Sequence, residues 1–170
     1  MALIKTRARG LKLDDTFAFT GTVSGAGGGK IQQIVHTAIT GSAQTTSTSF
    51  VSSGLFLAIT PTSSSNKILV HIYSTSMYLS GGGNLHGSLY RGTSGEGSGS
   101  EILRSVQGLN SLSGNFYLNT SLHHVDSPSS TSALTYTLMQ KSADGSTTGW
   151  HESGMGGTSN LNIQLIEFAP

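Results

Sequence analysis

The chain has 170 residues and a formal net charge of +1, with its six histidines neutral. Charged residues make up 10% of it, against about 25% in a typical soluble protein; 23 glycines, 28 serines and 20 threonines take their place. Leu, Ile, Val and Phe together number 40, too many at this net charge for a disordered chain, while the lack of cysteine excludes disulfides and thiolate metal sites.

In chain order, the first 30 residues form a basic arm. They hold Lys5, Arg7, Arg9, Lys12 and Lys30 against Asp14 and Asp15, whereas residues 31–170 carry a slight acidic excess. The charges are interleaved with Leu3, Ile4, Leu11, Leu13, Phe17 and Phe19, too few apolar residues to form a core. One helical turn near Leu11 to Phe17 is the only helix the pattern admits. No apolar block follows Met1 to Arg9, so a signal peptide is not expected. The arm runs into Gly21-Thr22-Val23-Ser24-Gly25-Ala26-Gly27-Gly28-Gly29, the composition of a flexible linker. Gly25 to Lys30 superficially resembles a phosphate loop. However, Ser24 stands where the first glycine belongs, and Ile31 where Ser or Thr would hold magnesium.

From Ile31 the texture changes. Eight β-rich runs are predicted: Ile31–Thr40, Gly54–Thr60, Lys67–Leu79, Asn84–Arg91, Glu101–Gln107, Asn115–Val125, Ala133–Lys141 and Asn160–Phe168. Gly, Pro, Ser and Asn clusters separate them, as in a sandwich or barrel. Ile68, Val70 and Ile72 alternate with Leu69, His71 and Tyr73; Leu161, Ile163 and Leu165 alternate with Asn162 and Gln164. Alternate residues face opposite sides of a strand, so each run offers one dry face. Leu69 and Tyr73 make the second face half-dry too, which points to a partner subunit. The longest apolar run, Leu55 to Ile59, falls far short of the roughly 20 residues of a membrane helix. The small net charge gives no global field for nucleic acid. Neither partner is expected.

Candidate chemistry is sparse. His123, His124 and Asp126 are the best metal candidates, with a third ligand from His36, His71 or His151. Adjacent histidines on a strand diverge, though, and zinc sites use tighter pairs, so a structural role is favoured and no metal or cofactor is expected. The serines form no nucleophile elbow, and Glu96, Glu101, Glu152 and Glu167 are too scattered in sequence to suggest a glycosidase pair. Gly95-Glu96-Gly97-Ser98-Gly99 reads as a loop tip. No catalytic residue is assigned. Trp150, the sole tryptophan, lies in a polar stretch from Gly145 to Glu152. It either packs on the core or a neighbouring subunit, or, with His151 and Tyr117, stacks on a sugar ring. Asn119-Thr120-Ser121 is a glycosylation sequon, to which no role is expected without a signal peptide.

Four segments, Lys30 to Val35 with Thr45 to Val51, Leu57 to Val70, Asp126 to Tyr136 and Leu161 to Phe168, resemble in order a family of bacteriophage tail-fibre or virion structural proteins from marine phages. Phe17 to Val23 resembles the segment before their distal domain. The resemblance implies an all-β, jelly-roll-like antiparallel sandwich of about eight strands (residues 31–170), forming a homotrimeric knob on the particle surface without a catalytic site. An extended arm (residues 1–30) would anchor it through Lys5, Arg7, Arg9, Phe17 and Phe19 to other capsid or tail proteins. Thirty extended residues reach only about 100 Å at about 3.3 Å each. A short spike or capsid decoration is therefore favoured over a long fibre. The alternative is a receptor-binding tip that recognises host-surface carbohydrate.

Overall fold

A computed structural model describes residues 30–81, 83–108, 113–152 and 159–170. The arm, its anchor residues Lys5, Arg7, Arg9, Phe17 and Phe19, and the glycine linker lie outside the described residues. Ten strands follow one another: β1 (Ile31–Thr40), β2 (Ala43–Thr45), β3 (Val51–Ile59), β4 (Lys67–Ser80), β5 (Asn84–Gly92), β6 (Ser100–Gly108), β7 (Asn115–Asp126), β8 (Leu134–Ser142), β9 (Thr148–His151) and β10 (Asn160–Phe168). All eight predicted runs are strands, and β1 and β10 match residue for residue.

The strands form two antiparallel sheets. One runs β1-β10-β4, with β7 on the far side of β4, and continues through β9 to β2. The other runs β3-β8-β5-β6. The connections from β2 to β5 and from β6 to β9 cross between the sheets, and β5 and β6 form a hairpin within one; this is the nested double Greek-key order of a jelly roll, which spreads the strand edges over two facing sheets. The two strands not anticipated are continuations of others. β9 pairs with β4 at Tyr78 and Leu79, and β10 pairs with β4 from Ser74 to Lys67. The two therefore share one track, with a break between His151 and Asn160. β2 extends β1 in the same way and pairs with β9. The break faces a bulge in β4 between Ser74 and Met77, where the extra residues spoil the ladder.

The core follows the period of two. Ile68, Val70 and Ile72 of β4 and Leu161, Ile163 and Leu165 of β10 point inward against Leu55, Leu85, Leu89, Tyr136 and Leu138 of the opposite sheet, all fully buried. Each such aliphatic side chain contributes roughly 1.5–3 kcal/mol by leaving water. β3 begins three residues before the predicted Gly54. That glycine has φ = +81° and sits in a bulge between Ser52 and Phe56, a conformation that a β-carbon would strain.

Candidate functional sites

One end of the sandwich is closed by polar side chains on either side of Ile68. Gln33, Glu167, Ile68 and Asp126 lie side by side across β1, β10, β4 and β7. Glu167 is fully buried and accepts four kinds of hydrogen bond: from Asn66 Nδ2 at 2.6 Å, the Thr62 amide at 2.7 Å, the Thr62 hydroxyl at 2.8 Å and Gln33 Nε2 at 2.5 Å. Burial pushes its carboxyl pKa up, but the hydrogen bonds outweigh burial and bring it down to about 2. Charge-assisted donors favour the ionised form in this way. The β3–β4 loop is thereby tied to the first and last strands.

Asp126 closes the same end from the other side. Arg91 Nη1 donates to both of its oxygens at 2.7 and 2.6 Å, and the Tyr136 hydroxyl donates to Oδ2 at 2.7 Å. Burial, and then the bond to Asp126, push the Tyr136 phenol far above its usual pKa. The phenol is thus a permanent donor. Asp126 does share the parity of His124, as its spacing predicts, but its partners come from the opposite sheet. Among the described residues no three His, Asp or Glu side chains come close enough together to hold a metal. His71 and His123 meet as a stacked pair, with ring centroids 4.9 Å apart.

The proposed sugar contact of Trp150, Tyr117 and His151 is not assembled. Trp150 lies on strand β9 and packs on the core, one of the two placements its sequence context leaves open; it and His151 are 0% and 1% exposed. The small residues before Trp150 allow this placement. A β-carbon on Gly149 would lie 2.3 Å from the Ala43 carbonyl oxygen, so glycine lets β9 lie close beside β2. Trp150 then turns inward over Gly87, where a β-carbon would lie 2.2 Å from the indole. Burial holds the His151 imidazole below its ordinary pKa, against the opposing pull of the Thr40 backbone and the Glu152 carboxylate. Tyr117 remains half-buried beside Tyr78, on the outer surface, with ring centroids 5.2 Å apart.

The two outer faces of the sandwich differ. On the β3-β8-β5-β6 sheet, Arg104 pairs with Glu101 at 2.7 Å. The Arg104 guanidinium and the Lys141 ammonium both lie 5.2 Å from the Phe50 ring, and Glu96 accepts from Ser52. Among the described residues, the outward side chains of the four strands β1, β10, β4 and β7 carry a single charge, Lys67, at a corner. Their cross-strand rows are chemically uniform. Ile34, Ile166, Leu69 and Val125 form one row, and His36, Gln164, His71 and His123 form the next. Ile34 is 54% and Val125 50% exposed, and Ile31 and Tyr73 are also open to solvent. Where the β4 bulge parts the strands, a shallow groove of about 530 Å³ opens beside Tyr73, lined by Thr75, Asn119, Thr120 and Ser121. These two features escaped a residue-by-residue reading. The half-dry second face was legible from Leu69 and Tyr73, but its continuity depends on register.

No family model matches the chain, and no curated protein matches it. The fold and these sites define a class: a jelly-roll β-sandwich whose buried polar clusters brace one end of the core, with one charged and one nearly uncharged outer face.

Proposed function

We propose that this is a non-enzymatic structural protein of a bacteriophage virion, a homotrimeric knob held on the particle by its N-terminal arm. One observation carries the reading. An outer sheet face whose described side chains carry a single charge, with a row of exposed and half-buried aliphatic side chains, is poorly suited to water and well suited to a copy of itself. Identical chains usually close into rings. The buried carboxylates Glu167 and Asp126 are engaged in bracing the sandwich, which suits the knob to a scaffold role. Lys30, the residue that joins the arm to the sandwich, sits at the braced end, where its carbonyl accepts from the Ala169 amide at 2.7 Å. Three arms joined through one body bind with avidity even if each binds weakly.

Deleting residues 2–29 tests this reading. The truncated protein is expected to remain an oligomer and to be missing from purified particles. Truncated protein found on particles at the normal level would overturn the anchor.

A second reading, recognition of a neutral host-surface sugar, is favoured by the groove at Tyr73. It offers an exposed ring (39%) beside amide and hydroxyl groups, the mixture that saccharide sites use. Tyr73→Ala, together with Asn119→Ala, is then expected to abolish adsorption to host cells. Unchanged adsorption removes the groove from consideration.

A further inference from the structure

We infer that copies of this chain meet on the outer face of the β1-β10-β4-β7 sheet, and that its histidine row makes the contact open in acid. The inference rests on the self-association proposed above and adds its surface and its control. The occupant is another copy rather than a charged partner. The face has one lysine at a corner and nothing with which to steer a charged surface, whereas the opposite face carries Arg104, Lys141, Glu101 and Glu96. Charge-poor, aliphatic surfaces are typical of permanent contacts between identical chains.

The histidines lie inside this surface. His36, His71 and His123 occupy one row, with neutral Gln164 between the first two, directly beside the row of Ile34, Ile166, Leu69 and Val125. The groups that face them can be named strand by strand among the described residues. β1 presents His36 alone among titratable groups, β10 presents none, β4 presents Lys67, His71, Tyr73 and Tyr78, and β7 presents His123 and Tyr117. Glu167 and Asp126 point to the core, so among the described residues of these four strands no outward carboxylate stabilises an imidazolium. The His71 ring stacks on His123 at 4.9 Å and neighbours Tyr73 at 5.5 Å. Burial, and then the His123 charge, already hold the His71 imidazole below its ordinary pKa in the single chain. Covering the face with a second copy removes more water and opposes protonation further. Protons therefore bind the separated subunits better than the assembled ones, and lowering the pH through the histidine range drives them apart.

Light scattering on the full chain at pH 8 and at about pH 5 tests the inference, with near-ultraviolet circular dichroism to follow the subunit fold. The expected result is an oligomer at pH 8 that separates reversibly into folded subunits at the lower pH. Its dissociation constant should rise at least about tenfold per pH unit, as one linked proton per dissociation requires. Val125→Asp should give single subunits at both pH values. The double variant His71→Gln with His123→Gln should remain associated at the lower pH. A single subunit at pH 8 in the unaltered chain would overturn the self-association and this inference together. An oligomer that tolerates Val125→Asp would place the contact elsewhere and overturn only this inference. An oligomer whose acid response survives the double glutamine change, or whose subunits unfold at the lower pH, would remove the histidine row from the control.

Discussion

Glu167 is the residue on which the braced end depends. It is the penultimate residue of β10 and faces inward, where an aliphatic side chain would otherwise sit. Its carboxylate is stable there because Asn66, Thr62 and Gln33 supply donors from three directions. The folded pKa of about 2 lies below the ordinary 4.5, so the folded state releases this proton more readily than the unfolded chain. The resulting stability is present above about pH 5 and is lost as the pH falls towards 2, a total of about 3 kcal/mol. Glu167→Gln replaces an acceptor by an amide that confronts donors. Denaturant unfolding at pH 7 should show a loss of about 2–3 kcal/mol. The acid limb between pH 5 and 2 should flatten in the variant; an unchanged acid limb would mean that other carboxylates carry it. From the sequence Glu167 was one of several scattered carboxylates, because its partners lie 101 to 134 residues away.

At the scale of elements, β5 and β9 show why glycine content and core content are linked here. Gly87 interrupts the inward series of β5, and Trp150 of β9 fills the space that its missing side chain leaves. A glycine within a strand marks close approach of another group, and that was the available signal for the tryptophan's position. Gly87→Ala should push the indole aside and cost about 2–3 kcal/mol, a fall in Tm of roughly 5–10 °C for a chain of this size. Combined with Trp150→Phe it should cost less than the sum of the two single changes, since the two residues contact each other. Strict additivity in thermal melts would show that they do not share the space. The bulges at Gly54 and after Ser74 belong to the same scale. They were not legible because an extra residue in a strand changes pairing without changing composition.

At the scale of the whole molecule, the chain separates a basic arm from a nearly neutral sandwich with unlike outer faces. The predicted outcome of removing residues 2–29, an oligomer that no longer reaches the particle, follows from that division. The bracing groups come from segments far apart in the chain: Gln33, Thr62 and Asn66 around Glu167, and Arg91 and Tyr136 around Asp126. Alternation and turn spacing by themselves determined that the body is an all-β sandwich, and they placed nearly every long strand, because side chains two apart share a face whatever the strand pairs with. Only the tertiary structure decided that the sandwich is a jelly roll, that Trp150 is core rather than contact, and that the aliphatic and histidine rows are continuous. Those facts depend on which strands adjoin and in which register, and register joins residues that the sequence keeps far apart.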